Sequence, residues 1–496
     1  MTSATTTYAA TFDAGTTALK GALAARDGRI VASASEDLDL IIGGDRREQD
    51  PEAWWRAFRD VTRRMLDDAS RNEPGFHAGL VAGVICSGQM QDVIALDADL
   101  APVRPAILYS DGRAGEQAAA LASALGRGDA AAGGSRFLSI VGNRLEGCLP
   151  LPKLMWMRER EPDAYARIRH VLISSKDLLV ARLTGACIGD VAACSTAGAM
   201  DIRSGAWHAG LVAAAGLDPA ILPGLHRPQD VVGHVGAEAS ALTGLAAGTP
   251  VYAGFGDAGA TTFASGVGHA GQYNINLGTS GWIATVSPGP FTDKPGAANL
   301  AFGVEPGFVN AVPFLNAGDV HRWATGVLAG GDYRAMHRLV VSSRPGANGV
   351  LCLPYLVGER FPVMNATVRG AYVGLDPDST RADMARAALE GVAFSIRQGM
   401  EGFDAAPESI SLIGGGAREE AWCRIMADVL GHPVTVFDHA DILPSVALAS
   451  LVFGDPDLPG AVCTGTSYRP DPSTRAAYDA AYARFLALYP ALATLR

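Results

Sequence analysis

The 496-residue chain has no block of lysines and arginines, and its formal net charge is −11. It therefore lacks the electrostatic footprint with which a protein grips nucleic acid or an anionic membrane surface. A small-molecule partner is favoured instead. No uninterrupted apolar run approaches the roughly 18 residues that a membrane-crossing helix needs. Cysteine is sparse and unpatterned: seven residues, at 86, 148, 187, 194, 352, 423 and 463, with no CxxC pair. An odd number at irregular spacing indicates neither a disulfide framework nor a zinc site, so reduced and mostly buried thiols are expected. The chain also lacks HExxH, GxSxG and GxxxxGK[ST], which argues against a zinc protease, a serine hydrolase and a P-loop nucleotide site.

What is present is globular composition, 48% hydrophobic and 18% charged, with no long Pro, Gln or Ser tract. The length exceeds what one ordinary core organises, so two large domains are expected. The N-terminal MTSATTTYAATFDAG has no basic region followed by an apolar core, and a cytoplasmic protein is expected.

The chain opens with strand-like runs and turns, YAATFDAGTT, ALKGALAA and IVASASEDLDL, a meander of hairpins. At 50–71 the period becomes helical, with Asp50 as the cap, Pro51 at the first position, and Trp54, Trp55, Phe58, Val61 and Met65 on one face. LVAGVICSG reads as a buried strand ending in Gly88. A similar order recurs later: GTPVYAGFGDAG and QYNINLGTSGWIATV are strand-like, and helical patterns follow at 380–402 and 418–430, the latter stopped by Gly431 and Pro433. The Pro- and Gly-rich stretch at 223–250 divides these segments, giving expected domains of 1–250 and 251–496. The last forty or so residues read as an amphipathic helix without chemistry of its own.

Chemistry concentrates in a few turns. FDAGTT (12–17) and LGTSG (277–281) are each rich in glycine and hydroxyls between strand-like runs, the make-up of a turn that brings N–H and O–H groups to a phosphate. One in each half suggests a two-sided phosphate clamp. IGGGAREEAWCRIMADVLG (413–431) places three glycines before a helix, permitting close approach of a ring or phosphate. The GxGxxG match at Gly266–Gly271 precedes a strand rather than a helix, and so lacks the context of a dinucleotide fingerprint. Asp257, at the end of an apolar strand and wrapped in Gly and Ala, is costly to bury without a task. Beside a bound phosphoryl donor it would suit a general base. In GQMQD (88–92), Gln89 and Gln91 offer neutral donors and acceptors for hydroxyls, Met90 an adaptable apolar wall, and Asp92 a cap or turn.

Together these stretches, with EQDPEAWW, RPAILYSDGR, LPKLMWMRE, SSKDLLVARLTG, LPYLVGER, RGAYVGL and ALEGVAF, resemble the FGGY carbohydrate kinases over about residues 8 to 455. EQDPEAWW, GQM and PYLVGER are most similar to the xylulokinases among them. The resemblance implies an α/β fold of two ribonuclease-H-like domains, as in actin, Hsp70 and the sugar kinases, flanking a catalytic cleft. It also implies ATP- and Mg²⁺-dependent phosphorylation of a sugar hydroxyl, such as D-xylulose to D-xylulose 5-phosphate, or that of another ketose, polyol or sugar acid. On this resemblance Asp257 is the catalytic base, and Asp13 and Asp257 hold the metal through water. Thr16, Thr17, Gly278, Thr279 and Ser280 face the ATP phosphates. Gly415, Gly416 and Ala417 border the adenosine, while Gln89, Met90, Gln91, Asp111 and Asp257 face the sugar. A homodimer is common in such proteins. Three positions depart from the xylulokinase pattern: Gln91 stands where His is usual, Ala258 where Asn is usual, and Phe361-Pro362-Val363 where Thr-Pro-His is usual.

Overall fold

The computed structural model describes residues 7–44, 46–294, 296–438, 442–456, 458–459 and 464–493. Its architecture is two α/β units built to one plan. In the first, the hairpin strands Tyr8–Ala14, Ala18–Ala25 and Ile30–Asp37 run antiparallel, and Val81–Gly88 then joins Tyr8–Ala14 in parallel. Pro250–Tyr252 and Phe255–Gly256 pair in parallel on the far side of Val81–Gly88, and Val231–His234 closes that edge antiparallel. The second unit repeats the order: Gln272–Leu277, Gly281–Ser287 and Phe308–Phe314 form the antiparallel meander. Ser409–Ile413 and Val434–Phe437 are the added parallel strands, and Gly465–Tyr468 is the closing antiparallel one. In the first unit the central strands Tyr8–Ala14 and Val81–Gly88 are mostly apolar and buried, as a sheet covered on both faces requires, whereas Gln272–Leu277 and Ser409–Ile413 of the second alternate apolar and polar residues.

The helices follow from local signals. Pro51–Asn72 starts where Asp50 accepts the Glu52 N–H at 3.0 Å, and buries Trp54, Trp55, Phe58, Val61 and Met65 against the first sheet. Arg381–Met400 opens on a capping box of Thr380 and Asp383. Glu420–Leu430 ends at Gly431, whose φ of 70° is the left-handed stop foreseen for it. Gly266–Gly271 leads into the strand Gln272–Leu277, as its sequence context indicated. The terminal helix Arg475–Ala493 packs Tyr478, Tyr482 and Phe485 into the core of the second unit.

One helix joins the two units. Leu443–Phe453, from the second half of the chain, lays Val446, Ala449 and Phe453 on Ala9 and Ala24 of the first sheet. A mixed cluster of Ile85, Ala192, Phe255, Phe302 and Leu448 continues that junction. Among the described residues, no helix is long and apolar enough to cross a membrane.

Candidate active site

Three strands of the first sheet end side by side. Their parallel register sets Ala14 opposite Gly88 and Gly88 opposite Gly256, so Asp13, the Gly88–Gln91 turn and Asp257 leave the sheet at one edge. The carboxyl edge of a parallel sheet is where α/β folds place ligands. Burial raises the Asp257 carboxyl to about 7, and the negative charge of Asp13 adds to the rise. The N–H of Ala258, donating to Asp257 Oδ1 at 2.7 Å, works in the opposite sense. Asp257 is the first residue of the helix Asp257–Ala264. The strand before it is held by Asp190, whose Oδ2 receives the N–H groups of Ala192 at 3.0 Å, Ala193 at 3.1 Å and Gly256 at 3.4 Å. Asp190 is in turn paired with the buried Lys176 at 2.9 Å, and Lys176 also contacts Asp177. Burial lifts Asp177 to about 6 even though Lys176 pulls it down. Lys176 and Asp177 of this triad lie in the SSKDLLVARLTG stretch, whose sequence does not by itself announce the role.

The residues expected to face the sugar fall into two groups. Gln89 is only 1% exposed. Its Oε1 accepts the Thr16 hydroxyl at 2.7 Å, and its Nε2 donates to Gln49 Oε1 at 2.9 Å. Gln49 returns to the Thr16 carbonyl at 2.7 Å, so Thr16 and the GQM turn are fastened to each other. Asp111 is likewise buried, and it accepts Arg113 Nε at 2.8 Å, Arg113 Nη2 at 2.6 Å and the Arg47 N–H at 2.7 Å. Burial pushes the Asp111 carboxyl up, but these donors outweigh it and hold it below its usual range. Arg113 also grips Glu48 at 2.6 Å and lies 4.8 Å from the Trp156 ring centroid. Met90 and Gln91 form the second group. Met90 lies over Gly256, where an added Cβ would come within 2.1 Å of its sulfur. The Gln91 amide hydrogen-bonds to none of the described residues. Asp92 is buried; its Oδ1 accepts the Tyr109 N–H at 3.0 Å, its Oδ2 has no hydrogen-bond partner among the described residues, and burial raises its carboxyl well above the usual range. Burial pulls the neighbouring Lys153 ammonium down against the field of Asp92.

The second sheet repeats the arrangement at its own carboxyl edge. Asn276 lies opposite Ile413, so Gly278–Ser280 and Gly414–Ala417 emerge together. Gly278, Thr279, Gly415 and Gly416 share a cavity of about 650 Å³ with His321 and Tyr333. The helix Gly318–Ala329 donates its first N–H groups to this turn, from Gly318 to Gly278 O at 2.7 Å and from Asp319 to Thr279 O at 3.1 Å. Gly416 admits no side chain, because a Cβ would meet Trp422 at 2.7 Å and Leu277 at 2.8 Å. Ala417 is buried behind the lining, and Thr17, Thr279 and Ser280 are exposed. A short 3-10 turn, Gly415–Arg418, contains two of the three glycines and precedes the helix Glu420–Leu430, which starts two residues later than the 418 expected from the sequence. The ring of His321, in the same lining, meets Tyr333 and Trp422 edge-on at 5.2 and 5.4 Å. No periodicity marks that residue as part of a site.

Phe361 of the divergent Phe361-Pro362-Val363 stretch is a core residue. It stacks on Phe403 with centroids 6.1 Å apart, and a Cβ on Gly399 would lie 2.3 Å from its ring. Among the described residues no three His, Cys, Asp or Glu side chains gather as a metal cage.

Comparison with known proteins agrees with this two-sheet plan. Residues 8–264 match the N-terminal domain, and residues 273–448 the C-terminal domain, of the FGGY family of carbohydrate kinases. The xylulose kinase of Escherichia coli (strain K12) is 31% identical, covering 97% of this chain and 99% of that protein. A gluconokinase of Bacillus licheniformis is 27% identical over 87% of this chain and 84% of that protein. The solved structure of the Rhodospirillum rubrum xylulose kinase superposes with a TM-score of 0.86 at 30% identity, covering 98% of this chain and 99% of that one. The chain belongs to the FGGY family of carbohydrate kinases and is an ATP-dependent sugar kinase with the two α/β domains of that family.

Proposed function

We propose that the protein phosphorylates D-xylulose at its terminal hydroxyl, with Asp257 as the general base. The observation that carries the reading is the meeting of Asp13, the Gly88–Gln91 turn and Asp257 at one edge of the first sheet, with Asp257 raised to about 7. A carboxylate so tuned takes a proton efficiently near neutral pH. As the sugar oxygen attacks the γ-phosphorus, its proton passes to Asp257, and the bond from phosphorus to the bridging oxygen breaks to release ADP. Thr16, Thr17, Gly278, Thr279 and Ser280 position the phosphates, and Gly415, Gly416 and Ala417 border the adenosine. The two lobes, 1–250 and 251–496, close on both substrates and keep water out.

The residues present fit Mg²⁺: Asp257 and Asp13, whose charge adds to the rise of Asp257, form an oxygen donor set, and this ion commonly takes one or two carboxylates with water and substrate phosphates. Asp13 and Asp257 would hold it, and when bound it neutralises charge on the phosphates. On the sugar side Met90 and Gln91 touch the acceptor, while Gln89 and Asp111 act through the groups they hold. We place the protein in the cytoplasm, and a homodimer belongs to the same reading.

Xylulose is favoured by the similarity to xylulose kinases. Another ketose, polyol or sugar acid is the second reading, supported by Gln91 and Ala258 and by the gluconokinase relative. A panel of D-xylulose, D-ribulose, glycerol and D-gluconate, each with ATP and Mg²⁺ and read by ADP release, separates them. D-xylulose should give the highest kcat/KM, and preference for another acceptor by tenfold or more would overturn the xylulose assignment while leaving the kinase intact.

A further inference from the structure

Two segments bound the sugar side of the cleft, the turn after Val81–Gly88 and the loop after Ala106–Ile107, and one side chain ties them together. Lys153, on the helix Pro150–Arg160, is fully buried. Its ammonium donates to the main-chain carbonyls of Gln91 at 3.0 Å and Leu108 at 2.7 Å. Among the described residues no carboxylate comes within 4.0 Å of it; the opposite charge of Asp92 acts from farther away. Burying an ammonium without a direct ion pair is costly, so the two carbonyls carry what holds it there. Gln91 has a φ of 63°, a left-handed conformation that a residue with a side chain keeps only where its surroundings enforce it. Its carbonyl is held while its side-chain amide has no hydrogen-bond partner among the described residues, so the turn is tied at the backbone and open at the side chain.

We propose that Lys153 is a positioning residue for the acceptor sugar. By holding the carbonyls of Gln91 and Leu108 it fixes the turn from which the Gln91 amide meets a sugar hydroxyl. The inference rests on the reading of Gln91 as a sugar contact. Among the described residues the Lys153 ammonium hydrogen-bonds only to these two carbonyls, both on the sugar side of that reading, so its signature is selective.

Lys153→Met keeps the length and apolar stem of the side chain and removes its donors. With D-xylulose as acceptor, the sugar KM should rise about tenfold or more, with the ATP KM within about twofold. Lys153→Gln should move the sugar KM in the same direction and carries the test if the Met variant does not fold. Because Lys153 acts through Gln91, Lys153→Met should add little to Gln91→Ala in the double variant. A sugar KM that does not change in the Lys153 variants, or rises together with the ATP KM, overturns the inference; so does full additivity with Gln91→Ala. If Gln91→Ala alone leaves the sugar KM unchanged, the sugar reading of Gln91 fails and the inference falls with it. If Gln91→Ala raises that KM and Lys153→Met does not, only the inference fails. Should the wild type prefer another acceptor, the same comparison is run with that acceptor.

Discussion

The two carboxyl edges of this protein are built from one strand order by opposite means. On the first sheet the site is surrounded by buried polar side chains that hold one another: Gln89 with Thr16 and Gln49, Asp111 with Arg113 and Glu48, Lys176 with Asp177 and Asp190. On the second, glycines make the room: Gly278, Gly415 and Gly416 line a cavity beside His321, Arg322, Tyr333 and Arg418, and helix N–H groups grip the turn. The contrast matches the two ligands of a sugar kinase. A sugar is told from its isomers by hydroxyl positions, which demands fixed donors and acceptors. A nucleotide's phosphates and ring ask mainly for backbone N–H groups and room.

The contrast is broken most severely at Asp257. Asp257→Asn is expected to lower sugar phosphorylation by about 10³-fold or more, while ATP affinity measured by calorimetry stays within a few-fold. Next comes the second edge: Gly416→Val drives a side chain into Trp422 and Leu277. ATP affinity should fall by at least about tenfold, with sugar binding measured without nucleotide unchanged. Gln89→Leu should cross the divide, because it strips partners from both Thr16 and Gln49. An unpaired buried polar group costs about 1–3 kcal/mol, so Tm should drop by several degrees and both KM values should rise. A loss confined to the sugar KM would mean that Gln89 touches sugar rather than tying the two turns.

The smallest effect expected is in the pH profile. As the proposed base Asp257 must be ionised to accept the proton, so activity should rise with pH through about 7, the range to which burial and Asp13 lift it. Added Mg²⁺ favours the charged form and should move that limb to lower pH. The stability sign is opposite. A carboxyl raised on folding stabilises the fold only while protonated, so its contribution is full below the ordinary range near 3.8 and is lost as pH rises to about 7. Asp257→Asn should therefore raise Tm at pH 8 relative to pH 5, a difference read by thermal melts at both values.

Much of the frame was legible in the sequence because its signals are local. Asp50-Pro51 began a helix, Gly431 ended one, and VICSG announced a buried strand, each confirmed within a residue or two. The FGGY stretches identified the family and with it the two-domain plan. The partners of the polar residues were not legible, since they come from far along the chain: Thr16 meets Gln89 across 73 residues and Lys153 meets Gln91 across 62. Amide and carboxylate side chains in a short polar turn look alike whether they face a ligand or a buried neighbour. The structure gives Gln89 and Asp111 protein partners and, among the described residues, gives the Gln91 amide none.

The most direct measurement follows both products at once. Wild-type protein is incubated with ATP, Mg²⁺ and D-xylulose, and phosphorus NMR is read beside the same mixture with Asp257→Asn. The account predicts ADP and D-xylulose 5-phosphate in equal amounts from the wild type and neither from the variant. ADP with free phosphate and no sugar phosphate, or a variant as active as the wild type, would contradict it.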